Sequence, residues 1–219
     1  MDAEIAQNNL QYTYQKFRLV VESLGVQQFN PYTAGGWVAS PMLGHSAGDM
    51  DLFFRTELGF AGALATAHGS EAVEFETKRA VRVNVCGVKV DLVRYEFSSP
   101  QKMIDGFDIR ACMVGFDYEG NWFADPEALE DIRSKRMFLR QFTGTEAVSA
   151  LVRIAKYGNR GLVLDRANAA KLAMALTRYT YPVEMEMRSL QSPMKPDDFI
   201  NDFWNHDFNK ADGRGGGGY

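Results

Sequence analysis

Two aspartates separated by one residue, Asp49 and Asp51, are the side chains whose types and spacing best suit chemistry. They open the segment DMDLFF, whose apolar end predicts a strand that emerges from a turn. On a strand, positions i and i+2 face the same side, so the two carboxylates would lie side by side. They would repel each other unless a cation lies between them, and carboxylate oxygens suit Mg²⁺. The pair therefore predicts a site for Mg²⁺ or Mn²⁺.

A third carboxylate and a glycine pair extend this candidate site. Asp91 lies in VKVDLVRY, which should form a neighbouring strand. Three such carboxylates could hold two metal ions, one to activate an attacking hydroxyl and one to neutralise a triphosphate and the leaving pyrophosphate. Gly35 and Gly36 lie upstream, and glycine lets the backbone approach phosphate oxygens. An isolated D-x-D segment is commonly a solvated turn or strand edge, but the glycine pair and the LFF run favour a metal site.

Two further side chains are candidates for contact with phosphate. Arg94 follows Asp91 by three residues, on the opposite face of the strand. It could reach a phosphate or remain a surface arginine. His45 lies in the loop just before the aspartate pair, where it could touch phosphate or be an ordinary loop histidine.

The charge of the chain limits how it could bind nucleic acid. Its net charge of −4 excludes a uniformly basic nucleic-acid coat but leaves room for a local basic patch. Arg153, Lys156 and Arg160 share one helical face and could form such a patch. That face would suit RNA or a triphosphate, and a solvated helix face is the alternative interpretation.

Composition and cysteine usage indicate the class of protein. A content of 46% hydrophobic and 24% charged residues is typical of an ordinary folded globular protein. No apolar run approaches the roughly 18–20 residues that span a bilayer, and no membrane partner is expected. The start, MDAEIAQNNL, does not resemble a secretory signal. Cys86 and Cys112 lie in apolar, strand-like stretches and read as buried inert thiols, which favours a reducing, cytoplasmic setting.

The elements that would position these residues fall into two parts. The first part mixes helices and strands, and the Cys86-Gly87 step predicts a hairpin within it. Its predicted helices are 3–24 and 57–67, and its predicted strands include 72–76, 80–85, 88–97, 107–116 and 122–124. The second part begins near Asp125-Pro126 and predicts helices over 126–138, 145–161 and 166–179. We expect domains over 1–125 and 126–208, followed by a Gly-rich flexible tail over 209–219.

The run AGGWVASPMLGHSAGDMDLFF resembles the head of the class II tRNA nucleotidyltransferase and bacterial poly(A) polymerase family. That family carries G-G-x-V-R-D-x-L-L-G, a short spacer and D-x-D-L. The residues in register are Gly35, Gly36, Val38, Leu43, Gly44, Asp49, Asp51 and Leu52. Weaker blocks follow at 107–113, 125–132 and 153–162, where the family has R-D-F-T-I-N-A, a D-P step and a basic neck helix. The resemblance spans roughly residues 34–165.

This resemblance implies an α+β fold, with a small mixed sheet flanked by helices and followed by a helical neck. It implies Mg²⁺-dependent transfer of a nucleoside monophosphate from an NTP to a hydroxyl, with release of pyrophosphate. The expected acceptor is an RNA 3′ end, such as that of tRNA. Asp49 and Asp51 would be metal ligands, with Asp91 as the third carboxylate by position. The candidate nucleotide-binding residues are Gly35, Gly36, Ser40, His45, Arg94 and Arg153.

The sequence also departs from the family pattern. Ala39-Ser40 replaces the family's Arg-Asp, and Gly106-Phe107 replaces its double arginine. Of the base-reading E-D-x-x-R signature, only Glu146 is similar. Since little sequence follows the neck, we expect the family's tRNA-gripping body and tail domains to be absent or minimal. We therefore expect a pared-down transferase, with a protein hydroxyl or a small molecule as the alternative acceptor. A nucleotide-binding module without catalysis is the third hypothesis, and the oligomeric state stays open.

Overall fold

A computed structural model describes residues 3–94, 97–140 and 144–177 of the chain. The helices are α1 (Ala3–Ser23), α2 (Gly36–Met42), α3 (Glu57–Gly69), α4 (Pro100–Asp105), α5 (Ala128–Ser134), α6 (Gly144–Gly158) and α7 (Arg166–Thr177). The strands are β1 (Tyr32–Ala34), β2 (Met50–Phe53), β3 (Val73–Glu76), β4 (Ala80–Val85), β5 (Val88–Val93), β6 (Val114–Asp117), β7 (Trp122–Ala124), β8 (Arg136–Met137) and β9 (Val163–Leu164). No helix in these ranges is long and apolar enough to cross a membrane.

Seven strands form one mixed sheet in the order β3-β4-β5-β2-β1-β6-β7. The β2–β5 pair at its centre is parallel, and the other neighbouring pairs are antiparallel. The β4–β5 hairpin turns at Cys86 and Gly87, whose φ angles of 52° and 73° are both positive. Two positive φ values suit the tight turns that fit the twist of a hairpin. This turn fixes the register of β4 against β5, and so decides which side chains lie opposite each other.

Alternating burial gives the sheet an apolar inner face. On β4 and β5 every second side chain is buried, namely Val81, Val83, Val85, Val88, Val90 and Leu92. The helix α1 contributes Phe17 to the same core, where its ring lies 5.3 Å from that of Phe116 on β6. Residues between the buried positions, including Arg82 and Asp91, therefore lie on the opposite face of these strands.

The C-terminal described elements are helical apart from one short pairing. Strand β8 pairs in parallel with β9, and α6 lies between them in the chain. The predicted helix over 126–138 is wrong in its last part, because α5 ends at Ser134. Lys135 then takes a left-handed conformation with φ of 56°, which ends the helix and lets Arg136 enter β8.

Among the other predicted elements, two are too long and one is partly wrong. The strand predicted over 88–97 ends at Val93, and the helix predicted over 145–161 ends at Gly158, so Arg160 lies two residues beyond the helix that was predicted to carry it. The predicted helices 3–24 and 57–67, the β runs over 72–93 and the Cys86-Gly87 hairpin are confirmed. The strand predicted over 107–116 is wrong before Val114, since Arg110–Cys112 form a single 3₁₀ turn. Helices α2 and α4 were not predicted. The domain boundaries stay predictions, and residues 178–219, including the predicted tail, lie outside the described residues.

A buried ion pair accounts for the 3₁₀ turn at Arg110, which precedes the sheet strand β6. The Arg110 guanidinium donates to both carboxylate oxygens of Asp131 on α5, at 2.6 and 3.0 Å. Its backbone N–H donates to the carbonyl of Phe138 and not to a sheet strand. Asp131 is 1% exposed, so this pair links the sheet to the helical part away from solvent.

Asp131→Ala should therefore lower the free energy of unfolding by about 3 kcal/mol or more, because it leaves a buried guanidinium without its main partner. Its matched control is Glu130→Ala on the same helix, where Glu130 forms an exposed pair with Arg133. We expect that control to cost less than about 1 kcal/mol. Urea unfolding of both variants provides the measurement, and equal losses would contradict a structural role for the buried pair.

Candidate active site

The three predicted carboxylates lie at the centre of the sheet. Asp51 on β2 is paired with Asp91 on β5 in the parallel register, so their side chains are direct neighbours. Asp49 precedes β2 by one residue. The expectation that Asp91 lies on a strand next to Asp51 is thus confirmed. The catalytic and metal-binding roles of these residues stay predictions.

An arginine that sequence reasoning missed connects two of these carboxylates. Arg82 lies opposite Asp91 in the β4–β5 hairpin. Its Nε and Nη2 atoms donate to the two carboxylate oxygens of Asp91 at 2.7 and 2.6 Å. Nη2 also lies 3.0 Å from Oδ2 of Asp49. The signal was present in the sequence, because a two-residue turn at Cys86-Gly87 places residue 82 opposite residue 91.

The surroundings of Asp51 disfavour its ionised form. Burial and the negative charges of Asp91 and Asp49 together raise its pKa to about 7, against the lowering effect of Lys156 and Arg82. A half-buried carboxyl beside another carboxylate is penalised when it ionises. The cluster is therefore short of positive charge around Asp51, which is the property expected of a place that attracts a cation.

The glycine pair lies directly beneath the end of α6. Gly35 has a φ of 75°, and its N–H donates to the carbonyl of Val114 on β6. A Cβ placed on Gly36 would lie 2.7 Å from the hydroxyl of Tyr157 and 3.9 Å from Nζ of Lys156. Residue 36 must therefore be glycine for α6 to approach this closely. Lys156 belongs to the predicted basic face. The close approach of α6 places it near both the glycine pair and Asp51.

Tyr157 is the buried residue through which α6 contacts the glycine pair. It was not among the site residues predicted from the sequence. It is only 4% exposed, and its hydroxyl is hydrogen-bonded to the thiol of Cys112. Burial raises the pKa of the Cys112 thiol to about 12, which fits the predicted inert thiol. Cys86 differs from the prediction because it is exposed in the hairpin turn. Nothing in the local sequence around residue 157 indicates a partner so far away in the chain.

Arg160 connects α6 with the loop that carries His45. Its guanidinium donates to the hydroxyl of Ser40, which in turn donates to the carbonyl of Gly36 at 2.6 Å. Nε2 of His45 lies 3.2 Å from the carbonyl oxygen of Arg160. A Cβ on Gly48 would lie 3.8 Å from the same guanidinium. The predicted nucleotide-binding residues Gly35, Gly36, Ser40 and His45 thus surround one basic helix end.

The other two predicted nucleotide-binding residues are held by acidic partners. Arg94 forms an ion pair with Glu76, and its guanidinium lies 5.7 Å from the ring centre of Phe60. Arg153 donates to Asp108 at 2.8 Å. These contacts do not bring either arginine to the carboxylate cluster. Their nucleotide-binding role stays a prediction.

A cleft of about 670 Å³ opens beside Asp49. It lies between α1, α2, the 44–49 loop and the β4–β5 turn, and Tyr12, Lys16, Trp37 and Lys89 are among its lining residues. Its size lies within the range of small-molecule and cofactor sites. Two lysines and two aromatic side chains could bind a ligand that has both an anionic group and a flat ring.

The residues as arranged do not form a ready metal site. Within residues 3–94, 97–140 and 144–177, no three His, Cys, Asp or Glu side chains are placed to hold a metal ion. The carboxylate oxygens themselves are the donors that Mg²⁺ prefers. The obstacle is Arg82, whose guanidinium occupies both oxygens of Asp91 and one of Asp49.

Comparison with known families identifies the chain. Residues 7–135 match the model of the Gabija anti-defense 2 family (Gad2). The chain belongs to this family. No curated protein matches this Gad2 chain at a significant level.

Solved structures similar to this Gad2 protein include CCA-adding enzymes. A CCA-adding enzyme in complex with ATP has a TM-score of 0.60 at 16% identity, over 95% of this chain and 56% of that one. The Thermotoga maritima enzyme complexed with tRNA gives 0.54 at 15% identity, over 87% and 50%. The Bacillus stearothermophilus enzyme in complex with CTP gives 0.50 at 17%, over 71% and 42%. The chain spans about half the length of these proteins.

This likeness shows a nucleotidyltransferase-like fold. The predicted α+β architecture, a mixed sheet flanked by helices, is confirmed. The sequence family of the chain is Gad2. Of the predicted resemblance to the class II tRNA nucleotidyltransferase family, the comparisons support the fold and not the membership. At less than one-fifth identity, the likeness carries no residue roles.

The raised pKa of Asp51 predicts a pH-dependent stability. Between its ordinary pKa of 3.8 and about 7, the folded state holds the Asp51 proton more tightly than the unfolded state does. Folded stability from this group is therefore present at low pH and lost as pH rises through about 7. Without divalent metal, Asp51→Asn should raise Tm by a few degrees at pH 8 and leave it nearly unchanged at pH 4. An equal change at both pH values would contradict this account, and exposed Asp105→Asn is the control.

The contact between Gly36 and Tyr157 predicts a rescue. Gly36→Ala should lower the free energy of unfolding by about 1–3 kcal/mol, because its methyl overlaps the Tyr157 hydroxyl. Adding Tyr157→Phe should recover part of that loss, since it removes the atom that is overlapped. Chemical unfolding of the two single variants and the double variant tests this. If the changes in unfolding free energy of the two single variants simply add in the double variant, the Tyr157 hydroxyl does not restrict the space at Gly36.

Proposed function

We propose that this chain is a metal-dependent, template-independent nucleotidyltransferase. It moves a nucleoside monophosphate from an NTP to a hydroxyl acceptor and releases pyrophosphate. The carrying observation is the cluster in which paired Asp51 and Asp91, the Gly35-Gly36 turn and Lys156 come together. The nucleotidyltransferase-like fold supports this assignment.

The basic end of α6 would bind the triphosphate. Lys156 lies over Gly36, and Arg160 reaches Ser40. Both cations border a glycine turn whose backbone a phosphate can approach. No carboxylate among the described residues forms an ion pair with Arg160, so its charge can interact with phosphate oxygens. Ser40 would hold Arg160 in place, and His45 would fix the backbone beside it.

Asp49, Asp51 and Asp91 would hold Mg²⁺, or Mn²⁺, once Arg82 has left them. When bound, the metal would neutralise the triphosphate and the leaving pyrophosphate and lower the pKa of the acceptor hydroxyl. A bound cation would favour the ionised form of Asp51, because a nearby positive charge lowers a carboxyl pKa that burial and the neighbouring carboxylates raise.

The acceptor that we propose is an RNA 3′ end. The structural neighbours include complexes with ATP, with CTP and with tRNA, which supports an NTP substrate and an RNA acceptor here. The cleft beside Asp49 could receive the terminal nucleotide, with Lys16 and Lys89 near its phosphates. A protein hydroxyl or a small molecule is the alternative acceptor. The family name describes an activity against the Gabija defence. We infer that the nucleotidylated product of the transfer reaction acts against Gabija.

A nucleotide-binding module without catalysis is the second candidate function. The observation in its favour is that Arg82 already neutralises Asp49 and Asp91. Such a protein would bind an NTP through the basic residues at the end of α6. It would counter Gabija by sequestering that nucleotide or by presenting it to a partner. We propose a cytoplasmic setting for either function, consistent with two cysteines that are both free thiols.

The decisive experiment measures transfer of label from each α-labelled NTP to total RNA and total protein, with Mg²⁺ or Mn²⁺. Asp51→Asn and Asp91→Asn should each lower transfer by at least about a hundredfold, as expected for loss of several kcal/mol of metal stabilisation. The matched control is Asp105→Asn on α4, an exposed aspartate that bonds Gln101. Label in RNA would support the RNA acceptor, and label only in protein would support the alternative. Tight NTP binding without pyrophosphate release would leave the non-catalytic module.

A further inference from the structure

Arg82 is bound by the carboxylates more completely than an incidental surface arginine would be. It makes a two-pronged hydrogen bond to Asp91 and a third contact to Asp49, all between 2.6 and 3.0 Å. Its side chain is 22% exposed, and that of Asp91 is 20% exposed. Two-pronged arginine–carboxylate pairs are among the strong, directional hydrogen bonds of proteins.

The backbone fixes this arrangement. The Cys86-Gly87 turn pairs Arg82 with Asp91, and the parallel β2–β5 register pairs Asp91 with Asp51. These positions form a row across three adjacent strands, so Arg82 is held beside the carboxylates by strand pairing. A side chain flexing in a loop would not be constrained in this way.

A guanidinium and a divalent cation cannot occupy the same carboxylate oxygens. Both oxygens of Asp91 accept hydrogen bonds from Arg82, and Oδ2 of Asp49 is shared with it. A metal ion that uses Asp91 must therefore displace at least one arm of the guanidinium. Arg82 also contacts an aromatic ring that does not depend on the carboxylates. Phe75 is its cross-strand neighbour on β3, and the ring centre lies 5.1 Å from the guanidinium carbon, so Arg82 could keep this cation–π contact after it leaves Asp91.

We propose that Arg82 is an internal counter-cation that closes the carboxylate cluster until a divalent metal displaces it, and that this competition sets the metal affinity. The proposal rests on the proposed function in one respect, that Asp49, Asp51 and Asp91 are the metal ligands. It adds a positioning residue that holds two of those ligands ready in the metal-free state. Metal loading then requires a movement of Arg82 away from Asp91.

The test measures Mn²⁺ binding without nucleotide, by titration calorimetry and by the loss of the free Mn²⁺ spin-resonance signal. Arg82→Gln should bind Mn²⁺ about tenfold or more tightly than the wild type, because no guanidinium competes. Arg82→Lys keeps the charge but loses the two-pronged geometry, so we expect an intermediate affinity. The matched control for charge alone is Arg133→Gln, which makes the same substitution at an exposed arginine of α5 that pairs with Glu130. It should change affinity by less than about twofold, as an exposed charge in salt does.

Each outcome decides between the proposals. Tighter binding in Arg82→Gln and Arg82→Lys, without a change in Arg133→Gln, supports displacement of Arg82. Equal affinity in wild type and Arg82→Gln, or an equal gain in Arg133→Gln, overturns it while leaving the metal site intact. Weaker binding in Arg82→Gln also overturns it. Absence of Mn²⁺ binding in both wild type and Arg82→Gln overturns the metal site and the proposed function together. Should Arg82→Gln fail to fold in melting experiments, Arg82→Lys decides alone.

Discussion

The parallel pairing of β2 with β5 is the constraint on which the rest of the candidate site depends. It places Asp51 beside Asp91, an arrangement that isolated carboxylates would avoid. Two like charges about 5 Å apart repel by about 3 kcal/mol at an effective dielectric constant of 20. The same pairing fully buries Met50, Leu52, Val90 and Leu92, and each such side chain contributes about 1.5–3 kcal/mol. Apolar burial therefore outweighs the repulsion and leaves the carboxylates in an unfavourable state that a cation relieves.

The positive side of the site is assembled by packing from a distant part of the chain. Tyr157 is buried against Gly36 and Cys112, and this contact determines where the end of α6 lies. Lys156 and Arg160 flank Tyr157 in sequence, so they are carried to the glycine turn by its burial. Attraction between charges alone would be too weak and too screened to give such a definite position. The anionic and cationic halves of the site thus depend on two separate apolar contacts.

Much of this architecture was predictable because it follows from local rules. The hairpin turn, the alternating valines of β4 and β5 and the D-x-D strand all follow from neighbours in sequence. Arg82 was predictable in principle, since counting back from the Cys86-Gly87 turn reaches residue 82 opposite Asp91. Tyr157 and the short β8–β9 pair were not, because their partners are remote in sequence. The 3₁₀ turn at Arg110 escaped prediction for the same reason, since its cause is a buried bond to Asp131.

Ala39-Ser40 stands where the class II tRNA nucleotidyltransferase pattern, which the sequence resembles, has Arg-Asp, and the structure gives this difference a physical meaning. An aspartate at position 40 would offer Arg160 a carboxylate, and the pair would neutralise the cation nearest the glycine turn. Ser40 offers only a hydroxyl, which accepts the hydrogen bond of Arg160 without cancelling its charge. Ser40 also donates to the carbonyl of Gly36, so the same residue fixes the turn and the arginine relative to each other. The departure from the pattern therefore keeps a positive charge where a triphosphate would lie, which favours a retained nucleotide site with a changed set of contacts.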